Sequence, residues 1–320
     1  DYSMADNKAT ALFAWLDCDI FGDYVRNLSV TDDGRIAVLI QDWNTNESSM
    51  AYLTKVKTEE LVQKTQVTLG ALYSNQEILS AAVAFNKQSK DYHINVKYYM
   101  DMSDYSEDAY QNARTALNND LISRNAPDMV ETSSVNIASL AAKGVFEDLG
   151  AYLDKSSKVK RADYLENVLQ ATTYNNCLVY IPKTFYVQTL VGKTKNVGTK
   201  SGWTMDDIMA LSKANPDAAL FEYATKESML NSCLMFNGES FIDYSTGKCN
   251  FDSDDFKKIL EFVAGFPDDY DWSEDTDSLP TLLQEDKVLL ERVYLSQLVD
   301  LQMYPAMFGA PVTYVGFPTT

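Results

Sequence analysis

The side chains able to do chemistry are few in kind. The 320 residues hold one histidine, His93. A Ser-His-Asp relay or a multi-histidine metal centre would have to be built on it alone. It lies in Asp91-Tyr92-His93-Ile94-Asn95-Val96-Lys97-Tyr98, an alternating run that reads as a strand with His93 on its surface. The four cysteines, Cys18, Cys177, Cys233 and Cys249, form no Cys-x-x-Cys pair, so zinc is not indicated. Cys233 and Cys249 are close enough in sequence to bridge, and separate buried thiols are the other reading. Gly192-Lys193-Thr194 ends like a phosphate loop, but the motif needs a glycine where Val187 stands. The acidic stretch 268–277 lacks the central glycine and the spaced glutamate of a calcium loop. No cofactor and no metal are expected.

What remains is the chemistry of binding. Twenty tyrosines and four tryptophans can stack on the C–H faces of a sugar ring, while Asp, Glu, Asn and Arg serve its hydroxyls. Paired carboxylates could also hydrolyse a glycoside if they stood roughly 5 to 10 Å apart, and no spacing in the chain places such a pair. A net charge of −19 excludes nucleic acid and docking on anionic lipid through a basic face, and leaves neutral or cationic ligands. No run of about 18 apolar residues occurs, so no membrane-spanning helix is expected. Asp1-Tyr2-Ser3-Met4 shows no basic region, apolar stretch or lipobox cysteine, which implies a removed leader or a longer chain upstream.

The elements that must position these groups fall into three parts. Residues 1–64 read as a β-meander. Asp32-Asp33-Gly34 is a turn, followed by strands over Arg35–Trp43 and Met50–Lys57, and the pattern resembles one blade of a propeller-type repeat. One blade cannot bury its own faces, so it packs on the next domain or on upstream neighbours. From Val67 the order becomes strand, helix, strand, helix, strand, helix, the signature of a parallel α/β sheet. Strands are expected over Val67–Leu72, His93–Tyr99 and Pro127–Val130. Helices are expected from the Ser74 or Asn75 cap, over Tyr105–Leu121, and over Ile137–Ala142 under a Ser133 or Ser134 cap. Pro182 marks a bend where the chain crosses into a second lobe. That lobe holds helices near 205–214, 226–236 and 254–266, a strand over Lys287–Val293, a helix capped by Ser296 and a last strand over Val312–Pro318. The lobes are read as 65–181 and 182–320.

Four segments then carry a likeness. They are Tyr73-Ser74-Asn75 with a helix ending in Phe85-Asn86-Lys87; Asn125-Ala126-Pro127-Asp128-Met129-Val130-Glu131; Phe236-Asn237-Gly238-Glu239-Ser240-Phe241 running on through Gly247 to Ser253; and Tyr314-Val315-Gly316-Phe317-Pro318. In order and spacing, the chain from about Val67 resembles the family 1 extracellular solute-binding proteins of carbohydrate ABC transporters. The resemblance implies a two-lobed periplasmic-binding-protein fold of type II, here preceded by the β-meander. It implies a monomeric receptor that closes by a hinge on a sugar or oligosaccharide and meets a membrane permease, with no catalysis. It also implies a location outside the cytoplasm, on a Gram-positive cell surface, lipid-anchored or within a longer secreted chain. Such proteins continue past Gly-Phe-Pro, so lobe 2 is expected to be incomplete at Thr320. A surface module that binds protein or glycan without transport is the alternative.

Strand-end position and the resemblance together single out Tyr73, Ser74 and Asn75 as ligand contacts, with helix capping as their other role. Glu131, Thr132 and Ser133 follow the third strand in the same way. Trp203, beside Gly202, is either a stacking platform or a packed aromatic. In the second lobe Tyr223, Arg292 and Tyr294 are candidates. Arg292 could instead pair with Glu285 or Asp286. Trp272 or Tyr270 joins the set if the acidic stretch reaches the ligand.

Overall fold

The structure, a computed structural model, describes every residue except 1, 6, 44, 61, 62 and 271–276. The chain forms two compact units, residues 1–137 and 138–320.

Unit 1 begins with a short antiparallel pair, β1 (Tyr2–Ser3) and β2 (Lys8–Ala9). An antiparallel meander follows, β3 (Val25–Val30), β4 (Ile36–Asp42) and β5 (Glu47–Leu53), paired in that order. Gly34 makes the first turn at φ +79°, in the left-handed region where a side chain is strained. Strand β3 was not expected. Its run is interrupted by polar residues and by a register shift at Arg26, whose guanidinium lies 3.8 Å over the Trp43 ring. The segment just before the meander packs onto the rest of the unit. Ile20 and Phe21 are buried, and the Gln76 amide donates to Asp23 at 2.9 Å. His93 was expected on the surface. Its side chain is only 14% exposed and faces Asp19 at 3.6 Å, too far for a hydrogen bond.

The parallel sheet is β7 (Tyr92–Tyr98), β6 (Thr65–Ala71) and β8 (Met129–Val130), with β6 in the centre. Helix α1 (Gln76–Gln88) joins β6 to β7, and α2 (Glu107–Leu121) joins β7 to β8. Two of the likeness segments turn out to be clamps. Asn86 is fully buried, and its amide both donates to the Ile94 carbonyl at 3.0 Å and accepts from the Ile94 N–H at 2.7 Å. Asp128 accepts the Thr68 N–H at 2.8 Å, and Pro127 packs so close to Gly70 that a Cβ there would meet its ring at 2.8 Å.

Unit 2 opens with α3 (Ile137–Ala142), α4 (Leu149–Lys155) and α5 (Glu166–Ala171), then the hairpin β9 (Thr173–Tyr174) and β10 (Cys177–Leu178). Ser133 does not cap α3, because its hydroxyl donates to Glu131 at 2.8 Å. The main sheet has β11 (Val187–Lys193) at its centre, before α6 (Thr194–Val197), α7 (Met205–Ala214) and α8 (Lys226–Phe241). The hairpin β12 (Ile242–Asp243) and β13 (Lys248–Cys249) leads to α9 (Asp254–Ala264) and α10 (Leu279–Gln284). Strands β14 (Leu290–Leu295) and β15 (Val312–Tyr314), separated by α11 (Asp300–Phe308), flank β11 in antiparallel fashion. Alternation sends Leu190 and Leu290 into a core with α7, α8 and α9, and Val191 and Val293 into a core with α10 and α11.

Several boundaries differ from expectation. Helix α8 does not stop at Phe236 but continues through Gly238 to Phe241, because Asn237 is held inside it. The Asn237 amide donates to Cys233 O and to Pro318 O, each at 3.1 Å, and accepts the Thr320 N–H at 3.0 Å. The Phe236 and Phe317 rings stack beside it at 4.2 Å. Strand β14 begins at Leu290, after residues 287–289 have bonded to the segment around Ala219. Ser296 is not the cap of α11; the Asp300 carboxylate instead accepts the N–H groups of Ser296 and Gln297. The last strand stops at Tyr314, because Gly316 turns at φ +84°. Cys233 is buried and Cys249 exposed, both as free thiols, so that bridge is absent.

Two charged groups in unit 2 make opposite demands on pH. Lys193, in the phosphate-loop-like triplet, is a structural cation. Its side chain is 5% exposed, and its ammonium lies 3.0 Å from Asp286 and donates to Gln284 O at 2.7 Å. Burial raises the Asp286 carboxyl, but hydrogen bonds from Lys195, Asn196 and Lys193 outweigh it and hold it at about 2. Burial, with Glu222 beside it and Arg292 opposing, pushes the Glu291 carboxyl up to about 7. The Asp286 contribution is therefore present above its unfolded pKa and lost as pH falls toward 2. The Glu291 penalty appears as pH rises from the unfolded value toward 7. Asp286→Asn leaves Lys193 buried without its counter-charge and should cost about 2 kcal/mol at pH 7 in urea unfolding, less than for a fully buried pair because Asp286 is partly solvated. Glu291→Gln should stabilise by about 1 to 2 kcal/mol at pH 8, the full shift being reduced by partial solvent screening, and should change nothing at pH 4. Melting curves at both pH values check the second outcome.

Candidate functional site

In unit 1 the three parallel strands bring their carboxyl ends to one edge, where ligands of open α/β sheets bind. The backbone fixes the loops leaving that edge. The Tyr99 and Met100 N–H groups donate to Ala71 O and Leu72 O at 3.2 and 2.8 Å, so the β6–β7 pairing extends past the strands and places Tyr73 beside Met100. Asp101 and Asp104 then fold the next loop by accepting the N–H groups of Ser103 and Ser106, each at 2.9 Å. Those bonds hold both carboxyls below the usual carboxylate range, so they are ionised at neutral pH. Ser106 caps α2 by accepting the Ala109 N–H at 3.2 Å.

The result is a recess of about 440 Å³ lined by Tyr73, Met100, Met102, Tyr105, Ser106, Glu107 and Tyr110. Tyr73 is 40% and Tyr105 74% exposed. Two thioethers and three phenol rings give it an apolar, adaptable wall, and Glu107 with Ser106 gives it polar handles. No cationic side chain lines it, so it suits a neutral, hydroxyl-bearing ligand.

The expected contacts of this unit divide. Tyr73 lines the recess, and Ser74 is exposed beside it. Asn75 spends its side-chain oxygen on the α1 cap, accepting from Glu77 and Ile78 at 2.8 and 3.3 Å. Glu131, Thr132 and Ser133 leave the same sheet edge after β8 but fold on themselves. The Glu131 carboxylate accepts both the N–H and the hydroxyl of Ser133 at 2.8 Å, and Thr132 O accepts the Val135 N–H. Met100, Met102, Tyr105 and Tyr110 were missed. They follow the second parallel strand, β7, whereas the expected contacts follow β6 and β8.

In unit 2, Trp203 is 5% exposed within the core of α7, α8 and α9, where it packs and offers no open face. Arg292 pairs with neither Glu285 nor Asp286, which hold lysines; it donates to the Ser232 hydroxyl on α8 at 2.7 Å. Tyr294 stands exposed across from Gln188, whose amide donates to its hydroxyl at 2.9 Å, and its ring lies 5.6 Å from that of Tyr186. Phe185 and Val187 are exposed next to that pair, forming an aromatic ledge at the end of β11 and β14. Tyr186 and Gln188 could not be found before the pairing of β11 with β14 was known. Tyr223 meets Tyr270 edge-to-face at 4.7 Å. Trp272 lies outside the described residues. Among the described residues no group of three or more His, Cys, Asp or Glu could hold a metal, and no helix is long and apolar enough to cross a membrane.

Comparison with solved structures places these elements beside several binding proteins. An ABC substrate-binding protein of Listeria monocytogenes in complex with cycloalternan is 17% identical, at a TM-score of 0.39, over 72% of this chain and 62% of that one. The sugar-binding protein MalE of Xanthomonas citri is 18% identical, at 0.42, over 80% and 66%. A family 1 extracellular solute-binding protein of Bifidobacterium longum subsp. infantis is 17% identical, at 0.43, over 80% and 67%. The chain thus spans about two thirds or less of the length of the first two. No curated protein matches the sequence. The model of the bacterial extracellular solute-binding proteins matches residues 80–320, and the chain belongs to that family.

Proposed function

We propose that the protein is the extracytoplasmic receptor of an ABC importer and captures a sugar or oligosaccharide. One observation carries this reading: the recess at the carboxyl edge of the parallel sheet, where Tyr73, Tyr105 and Tyr110 stand beside Glu107 and Ser106. A pyranose ring lays its C–H face on a phenol ring, while its hydroxyls donate to Glu107 and exchange hydrogen bonds with Ser106. Within unit 2, the exposed Tyr186–Tyr294 ledge is a separate aromatic surface on which a sugar ring can stack. No bond is made or broken. The ligand's differential affinity for a closed form drives lobes 65–181 and 182–320 together and signals occupancy to a permease. The protein acts as a monomer outside the cytoplasm, lipid-anchored or within a longer secreted chain of a Gram-positive cell.

Isothermal titration calorimetry against mono- and oligosaccharides tests this reading. One-to-one binding with no new product by chromatography is the expected outcome. Tyr73→Ala and Tyr105→Ala should each weaken binding about tenfold, near 1.4 kcal/mol. Full affinity in both variants would remove the recess from the site, and silence across the panel would remove sugar as the ligand. Hinge closure predicts in addition that the radius of gyration from X-ray scattering falls on adding the sugar that binds; an unchanged value would separate capture from closure.

A further inference from the structure

Unit 2 holds a second recess, of about 340 Å³, between the carboxyl ends of α7 and α9. One wall is the irregular segment from Ala218 to Phe221. Tyr223 and Tyr270 form another, and Ser212, Asn215 and Phe266 complete it. This segment is bonded to residues 287–290 on one side. Ala219 O accepts the Leu289 N–H at 3.0 Å, and Leu220 O accepts the Leu290 N–H at 2.9 Å. Both carbonyls thus point toward residues 289–290. In a trans peptide the N–H of the next residue points opposite to the carbonyl, and among the described residues there is no cis peptide. The N–H groups of Leu220 and Phe221 therefore both point away from residues 289–290, which do not line the recess, whereas Leu220 and Phe221 do.

Among the described residues neither of these N–H groups finds an acceptor, although both residues are buried, at 6% exposure. A buried, unbonded N–H is costly, and more than nine in ten such groups are paired. Two in succession, aimed the same way, form a small donor concavity. The left-handed backbone of Tyr223, at φ +54°, is rare for a bulky residue and turns the chain immediately after this pair.

The surroundings select the partner. The lining holds no charged side chain. The carboxyl ends of α7 and α9 bring the negative ends of two helix dipoles to the recess, which opposes an anion. A neutral acceptor oxygen next to an apolar group fits, with aromatic rings to cover the apolar part. We propose that this recess is a second binding site, distinct from the sugar recess of unit 1, and that it takes the carbonyl of a neutral amide, as in a peptide bond, on the Leu220 and Phe221 N–H groups.

The test uses the whole chain labelled with ¹⁵N and titrated with N-acetyl-alanine N-methylamide. The amide protons of Leu220 and Phe221 should move downfield together and saturate. Acetate, which is anionic, and glucose, which lacks an amide, should move neither. Ser212→Phe fills the recess and should abolish the shift. Should that change disturb the spectrum elsewhere, Tyr270→Ala removes part of the wall and should weaken binding about tenfold. Silence of both amides toward the capped alanine would overturn the proposal. So would an equal response to acetate, or a titration that the altered wall leaves unchanged.

Discussion

Two buried carboxamides hold the fold in register. Asn86 and Asn237 sit near the ends of α1 and α8, and each bonds to backbone beyond its own helix. An amide left unsatisfied in a core costs about 1–3 kcal/mol, so neither helix can shift without losing that much. Asn86 ties the end of α1 to the middle of β7, which fixes how far β7 slides along β6. That register sets where Tyr99 and Met100 bond to Ala71 and Leu72, and hence brings Tyr73 to the methionines and tyrosines of the recess. The clamp is remote from the site, yet it sets the site's geometry.

Charge is used in two ways. Much of the acidity is exposed, and several of its carboxylates are tied up locally. Asp101, Asp104, Asp243 and Asp300 each bind backbone N–H groups of their own loop, which holds them ionised and shapes the turn. Inside, Lys193 and Asp286 join β11 to the segment after α10, while Glu291 is held where ionisation is unfavourable. No cationic side chain lines either recess. Tyr, Met, Ser and Glu side chains line one, and Tyr, Phe, Ser and Asn side chains line the other.

Much of the element order was legible because periodicity is local. Spacing of three and four in α1, α2, α7 and α9, and alternation in β4 and β7, reflect which face is buried. The misses share one cause, a partner distant in sequence. Helix α8 runs through Gly238 because Asn237 is anchored by Pro318 and Thr320. Strand β3 forms, despite Arg26 and Asn27, because β4 offers it a ladder. Ser296 gives way as a cap to the Asp300 carboxylate.

From the residues alone came the α/β class, the solute-binding likeness and the incomplete phosphate-loop motif, since these depend on composition, period and short motifs. Tyr73 was also within reach, because strand ends can be read from the chain. Folding alone determined that Trp203 is core and Tyr105 surface, that Arg292 turns to Ser232, and that Ala219 and Leu220 bond to residues 287–290. A side chain's exposure and a backbone group's partner are set by segments that the sequence separates by tens of residues, and no local pattern encodes them.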